Sequence, residues 1–274
     1  MLQVAKHQIK MTNEGIDLLH TFSAFDELGK QRDVSLTGER PLTIYLDKQE
    51  IVTLMTMGAQ PELLTLGYLR NQGLVSSIDH VLAVQVDWEV EAIAVTTSQK
   101  VANIEQLLSK RTVTSGCGQG TMFGDVMTSL DTLNVHCPDF SAETIYQVLD
   151  GLRDYNQMYK TAGAVHGCAL CSMSGDVEIF VEDVGRHNAV DAISGWMWLE
   201  DISGKDKIFY TTGRLTSEMV IKVAQMEVPL LLSRSGATEM GLSIARKVGI
   251  GMIARAKGKH FLVFNGFDSF IMFK

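Results

Sequence analysis

Lys207-Ile-Phe-Tyr-Thr-Thr212 leads into Leu215-Thr-Ser-Glu-Met-Val-Ile-Lys-Val-Ala-Gln225, and Pro229-Leu-Leu-Leu-Ser233 leads into Ala237-Thr-Glu-Met-Gly-Leu-Ser-Ile-Ala-Arg-Lys-Val248, before Ile250-Gly-Met-Ile-Ala-Arg-Ala256 closes the series. Apolar runs of strand length, each followed by a helical pattern, predict an α/β domain with layers around a partly parallel sheet. In such sheets ligands sit at the carboxyl ends of the strands, where helix N-termini present unpaired N–H groups. Three strand-to-helix junctions stand out: Asp183-Val-Gly-Arg-His-Asn188, Thr211-Thr-Gly-Arg-Leu-Thr-Ser217 and Ser233-Arg-Ser-Gly-Ala-Thr238. Glycine and hydroxyl residues serve any tight turn. Three arginine-bearing loops on one sheet edge weigh equally for a phosphate or anion site, which makes Arg186, His187, Asn188, Gly213 and Arg214 candidate ligand contacts. His187 is also placed to orient a ligand or exchange a proton, with a structural cap as the competing role.

Upstream, His166-Gly-Cys-Ala-Leu-Cys-Ser-Met173 and Val177-Glu-Ile-Phe-Val-Glu-Asp183 read as a hairpin turning at Ser174-Gly175-Asp176. Before it, Ile145, Val148, Leu149, Leu152, Tyr155 and Met158 form one apolar stripe, predicting a helix from Ser141 to near Gly163. Residues 112–121 hold three glycines within five positions around Cys117 and predict a loop. Residues 40–110 predict a small α+β unit. Its strand pairs are PLTIYL with EIVTLMTM and VLAVQV with VEAIAVTT, and Pro61 opens a helix that Gly73 stops. The organisation expected is an irregular segment at 1–38, the small unit at 39–111, the Gly-rich loop and connector at 112–135, and the larger α/β domain at 136–274.

The 274 residues are 46% hydrophobic and 20% charged, enough for a sizeable core. No stretch has the roughly 20 apolar residues of a bilayer-spanning helix, and the start lacks an apolar signal core. A cytoplasmic protein without membrane association is expected. The net charge of −8 argues against nucleic acid, but it is uneven: residues 1–204 carry 13 basic against 27 acidic side chains, and residues 205–259 carry 10 against 4. The basic block suits a phosphorylated ligand. Four cysteines are too few for a disulfide framework. Cys117, flanked by glycines in a polar segment, has the setting of a reactive thiol. Cys168 and Cys171 have the spacing of half a zinc site or of a redox pair, yet the alternation around them makes them small core residues and no metal is expected. Walker, nucleophile-elbow, zincin and zinc-deaminase signatures are missing.

The strings Val181-Glu-Asp-Val-Gly-Arg-His-Asn-Ala-Val-Asp191, Thr161-Ala-Gly-Ala-Val-His166, Thr212-Gly-Arg-Leu-Thr-Ser-Glu-Met-Val220, Glu39-Arg-Pro-Leu-Thr-Ile-Tyr45 and Thr114-Ser-Gly-Cys-Gly118 resemble the FdhD family of formate dehydrogenase accessory sulfurtransferases. The resemblance covers most of residues 39–260. It implies a three-layer, cytidine-deaminase-like C-terminal domain without deaminase chemistry, and a homodimer. It also implies that Cys117 accepts persulfide sulfur from a cysteine desulfurase. The acceptor would be the molybdenum or tungsten bis-pterin guanine dinucleotide cofactor of the formate dehydrogenase catalytic subunit. Ile253-Ala-Arg-Ala-Lys-Gly258 aligns with the family's cofactor-binding stretch, adding Ile253, Ala254, Arg255, Ala256, Lys257 and Gly258 to the candidate contacts. Where many members have Cys-x-x-Cys in the loop, Gly120 replaces the second cysteine. Cys117 then acts alone or with Cys168 or Cys171. A non-catalytic chaperone that only holds the cofactor is the competing reading.

Overall fold

The structure is a computed structural model describing residues 7–13, 15–99, 111–114, 120–123, 130 and 133–272. A five-stranded sheet comes from the N-terminal third, with strands β1 (Lys10–Met11), β4 (Arg40–Leu46), β5 (Gln49–Thr56), β6 (Val81–Asp87) and β7 (Ala92–Thr97) in the order β1-β6-β7-β4-β5. Asp47 and Lys48 both adopt positive φ (49° and 76°), the geometry of the two-residue hairpin turn that matches strand twist. Pro61 stands at the start of helix α1 (Pro61–Asn71), where its missing N–H costs nothing.

Within the segment expected to be irregular, β2 (Leu19–Phe25) and β3 (Gln31–Thr37) form a separate antiparallel hairpin. Its strands are largely exposed on both faces, so no buried stripe imposes the alternation that would betray them. Arg111–Thr114 (β8) and Gly120–Phe123 (β9) pair antiparallel, with Thr114 opposite Gly120. Residues 115–119, including Cys117, lie outside the described residues.

The rest of the chain builds a six-stranded sheet in the order β12-β11-β13-β14-β15-β16. Short β10 (Phe140–Ser141) pairs with a strand near the C-terminus, β17 (Phe270–Ile271). The helix predicted from Ser141 to Gly163 is broken into α2 (Ala142–Gly151), a 3₁₀ turn (Leu152–Asp154) and α3 (Gln157–Ala162). Asn156 intervenes, and its side-chain amide donates to Leu152 O at 3.1 Å, taking up a carbonyl that a continuous helix would use. Ser141 caps the first of these helices, α2, its hydroxyl accepting from Thr144 N. Next come β11 (His166–Ser172), β12 (Val177–Asp183), α4 (Arg186–Leu199), β13 (Lys207–Thr211), α5 (Ser217–Gln225), β14 (Leu230–Ser233), α6 (Glu239–Val248), β15 (Gly251–Lys257) and β16 (His260–Asn265). β13, β14 and β15 are parallel neighbours, which makes the sheet partly parallel as expected, while β12 is separated from β13 by the antiparallel β11.

Strand alternation divides the core. Phe209, Leu231 and Met252 face α4, α5 and α6, whereas Ile208, Tyr210, Leu230, Leu232 and Ile253 face Ile145 and Val148 of α2. The first of these clusters continues through α1 into Leu42, Ile44 and Ile93 of the five-stranded sheet, so both units share one core. Their joint is the crossing of α1 and α4, where two glycines let the backbones touch. A Cβ on Gly195 would collide with the Leu63 carbonyl, and one on Gly67 with the Asp191 carbonyl. Gly195→Val is therefore expected to cost about 3 kcal/mol or more. A loss below about 1 kcal/mol in urea denaturation would show that the crossing relaxes freely.

Candidate functional site

Because β11 is antiparallel to both β12 and β13, the strands β12, β13, β14 and β15 all end on one sheet edge, where β11 begins. The junctions singled out in the sequence therefore meet. Thr212 N donates to Gly167 O at 2.9 Å, Arg234 N to Thr211 O at 3.1 Å, and Arg255 N to Ser235 O at 2.7 Å. Ser233 Oγ donates to Gly213 O at 2.6 Å, tying two of the loops below their tips.

A cavity of about 500 Å³ opens at this edge, lined by His166, Val184, Thr212, Arg234 and Ser235 and closed on one side by Asn156 and Tyr159. A second, of about 300 Å³, shares Asn156, Tyr159 and Arg234. Its floor is apolar (Leu149, Leu152, Tyr210), and Arg153, Lys160, Lys257 and Arg234 supply cations. Arg214, Arg234, Arg255 and Lys257 are all exposed. Together the cavities offer what a heterocyclic nucleotide asks for: apolar surface for a ring and guanidinium donors for phosphate oxygens. Burial pushes the pKa of His166 below the ordinary imidazole range, and Arg186 and Arg214 reinforce the shift.

The Asp183–Asn188 turn is anchored from beneath. Asp183 Oδ2 accepts from Thr56 Oγ1 (2.6 Å) and Met57 N (3.1 Å), and its Oδ1 accepts from Gly185 N (2.9 Å) and Asn188 Nδ2 (2.7 Å). Burial raises its pKa, with these donors opposing. Asn188 also donates to Met55 O at 2.7 Å. Its amide nitrogen is thus engaged in holding the turn and the five-stranded sheet together. Arg186 is buried and runs past Gly213, where a Cβ would come within 2.5 Å of the arginine Cδ. Gly213 therefore makes room for Arg186. In the terminal stretch, Ile253, Ala254 and Ala256 bury their side chains, leaving only backbone to a ligand, whereas Arg255, Lys257 and Gly258 are exposed. Arg255 has φ 55° at an irregularity in the β15–β16 pairing that turns it out of the sheet.

Cys168 and Cys171 are fully buried in the middle of β11, one in each core cluster, and burial pushes both thiols up to about 12. Facing opposite sides of one sheet, they are neither a redox pair nor half a zinc site, and neither can approach a surface loop. The Cys168 thiol sits 3.3 Å from Thr211 Oγ1. Cys137 is also buried, and its thiol pKa is raised by burial. No group of three or more His, Cys, Asp or Glu side chains able to hold a metal occurs among the described residues, and no described helix is long and apolar enough to cross a membrane.

The model of the FdhD/NarQ family matches residues 37–271. The chain belongs to the FdhD/NarQ family. FdhD relatives include the sulfur carrier protein FdhD of Wolinella succinogenes, 27% identical over 235 residues (85% of this chain, 80% of the relative). The corresponding protein of Bacillus pumilus is 29% identical over 234 residues, covering 82% of this chain and 86% of its own length. A solved structure described as a formate dehydrogenase accessory protein, from Desulfotalea psychrophila, superposes with a TM-score of 0.73 at 24% identity, covering 92% of this chain and 98% of the other. At that identity the likeness concerns the fold.

The FdhD motif places His187 one residue into α4, its Nδ1 buried 3.5 Å from Glu218 Oε1. Burial, with Lys222, Arg186 and His166 adding to it, takes the imidazole down to about 2 from its ordinary 6.5. Below pH 6.5 the unfolded chain takes up a proton that the folded chain refuses, so this group's contribution is complete above 6.5 and is lost as pH falls. Wild type is expected to lose about 2 kcal/mol more than His187→Gln between pH 7 and pH 5. Parallel urea midpoints for the two proteins would contradict the neutral, buried imidazole. The pairing of Asn156 and Tyr159 with the loops was not foreseen, because both lay inside what the stripe presented as one uninterrupted helix.

Proposed function

We propose that this protein is a sulfur carrier: Cys117 takes sulfane sulfur from a cysteine desulfurase and passes it to the molybdenum or tungsten bis-pterin guanine dinucleotide of formate dehydrogenase, bound at the carboxyl edge of the six-stranded sheet. The observation that carries this reading is the convergence of four strand ends on two adjoining cavities lined by Arg153, Lys160, Arg234 and Lys257, with Arg214 and Arg255 exposed on the neighbouring loop and strand. Relatives named as sulfur carriers supply the chemistry. Sheet order supports the cytidine-deaminase-like assignment, since an antiparallel pair precedes three parallel strands. The setting is the cytoplasm, with the desulfurase, the formate dehydrogenase catalytic subunit and a second copy of the chain as partners.

In the loading step the Cys117 thiolate attacks the outer sulfur of the donor persulfide, the donor S–S bond breaks, and the donor cysteine leaves as thiolate. Oxidation level is conserved. Delivery of that sulfur as sulfide consumes two electrons from a thiol reductant and returns Cys117 to its thiolate. Burial of Cys137, Cys168 and Cys171 favours Cys117 for this work, since a thiol raised to about 12 supplies almost no thiolate near neutrality. Gly120, paired with Thr114, stands where a second loop cysteine would be, and this favours the competing reading of a cofactor-holding chaperone.

Incubation with a cysteine desulfurase and cysteine, followed by peptide mass spectrometry, separates the two. One reductant-labile sulfur is expected on the Cys117 peptide and none in Cys117→Ser. Sulfur on another cysteine would overturn the assignment to Cys117 and relocate the site, and sulfur on none would overturn the carrier reading.

A further inference from the structure

The two cavities at the sheet edge differ in chemistry. The larger, of about 500 Å³, is lined by polar side chains such as His166, Thr212 and Ser235. The smaller, of about 300 Å³, has the apolar floor of Leu149, Leu152 and Tyr210 and takes a ring better. Asp150 lines the smaller one, and it is the only carboxylate among the described residues that line either cavity. A carboxylate there repels the phosphates that Arg153, Lys160, Arg234 and Lys257 attract. Attraction of an anion therefore does not account for it.

The wall that carries Asp150 is fixed by its own bonds. Glu182 of β12 accepts from Met158 N and Tyr159 N at 3.0 and 2.9 Å, and Lys160 Nζ donates to Arg153 O at 3.0 Å. Asn156, which lines both cavities, has its amide nitrogen committed to Leu152 O, and His166 belongs to the larger cavity, with Nδ1 3.3 Å from Thr212 Oγ1. Asp150 is less committed. Arg153 Nη2 lies 2.7 Å from its Oδ1, and because Arg153 lines the same cavity the contact keeps the carboxylate beside it. Both side chains are largely exposed, 72% for Arg153 and 63% for Asp150, so the pair is worth little by itself. An ionised carboxylate has about four lone-pair sites, and this contact uses one.

We propose that the smaller cavity takes the base of the nucleotide and that Asp150 is a specificity-determining residue, its carboxylate accepting from two adjacent N–H donors on one edge of the ring. This rests on the reading of the edge as a dinucleotide site. Guanine presents its ring N–H and its amino group side by side, and a carboxylate can accept from both in a charge-assisted fork. Adenine sets a ring-nitrogen lone pair there instead, which faces the carboxylate without a proton between them. Hypoxanthine keeps the ring N–H and lacks the amino group. The phosphates then lie toward Arg234, which lines both cavities and joins the ring slot to the larger space.

Calorimetric titration of the full chain with guanosine, inosine and adenosine diphosphates tests it. Wild type is expected to bind guanosine diphosphate roughly 10-fold or more tightly than adenosine diphosphate, the worth of a hydrogen bond to a charged group, with inosine diphosphate between them. Asp150→Asn, an isosteric change at an exposed position, should weaken guanosine diphosphate roughly 10-fold while adenosine diphosphate binds as well as before or better, because the amide exchanges an acceptor for a donor. Arg234→Ala should weaken both alike. A carboxylate acting only as a charge would make Asp150→Asn bind all three more tightly, and one that only holds Arg153 would make it bind all three more weakly. Either result overturns the proposal, as does a wild type indifferent to the base or a preference that survives Asp150→Asn. Failure of wild type to bind any of the three would overturn the dinucleotide reading itself, and the proposal with it.

Discussion

Lys222→Met is expected to lower folding stability by about 3–5 kcal/mol, the largest effect of any single charge removal here. Lys222 is among the largest fully buried side chains of the protein. Burial alone would lower its pKa, but Asp191 and Glu218 outweigh that and raise it, so the ammonium stays charged. Burial raises the pKa of Asp191, against the pull of Lys222 and Asn71. Removing the ammonium strands two carboxylates in a space that excludes water, and each then carries its desolvation uncompensated. The defect should shrink as pH falls, because protonation discharges the stranded groups. A Lys222→Met, Asp191→Leu double variant is expected to cost clearly less than the sum of the two single changes, since it removes the pair together. Chemical denaturation of the four proteins measures this. A single-variant loss below about 1 kcal/mol, or strict additivity, would mean that the pair is not coupled as its 2.7 Å contact implies.

How much of this was legible in the sequence follows from how local each signal is. The parallel strands β13, β14 and β15 and their convergent loops were readable, because strand length, helix period and turn residues are written within about ten positions of one another. Cys168 and Cys171 were readable as core residues from the alternation around them. The β2–β3 hairpin was not, since its exposed strands need no apolar face. Nor was the break at Asn156, where an apolar stripe persists on both sides of a 3₁₀ turn and period alone sees no interruption. The internal roles of Asn188 and Lys222 were out of reach for another reason. Asn188 is bonded to Met55 and Lys222 to Asp191, partners 133 and 31 positions away. A motif tells which residue types occur together, but whether a polar side chain meets a ligand or its own fold depends on what packs beneath it.

Cys117→Ser is expected to abolish maturation of formate dehydrogenase in a strain that depends on this protein, with activity falling to the level seen without it. The reason is chemical. A hydroxyl cannot hold sulfane sulfur, because the nucleophile of persulfide exchange is a thiolate and its product is an S–S bond. Cys168→Ala and Cys171→Ala, each removing a small buried group, should reduce stability through cavity formation yet leave the folded protein competent. Arg234→Ala offers a different contrast. Arg234 is the one arginine that lines both cavities, so its loss should weaken guanosine diphosphate binding about 10-fold or more while leaving persulfide loading on Cys117 intact. The two variants thereby divide the work between a thiol that carries and an edge that holds. Should Cys117→Ser support maturation while Arg234→Ala does not, the protein would be a holder of the cofactor rather than a carrier of sulfur. Gly120 in place of a second loop thiol would then follow naturally, because a site that never bears a persulfide has no need of a cysteine to resolve it.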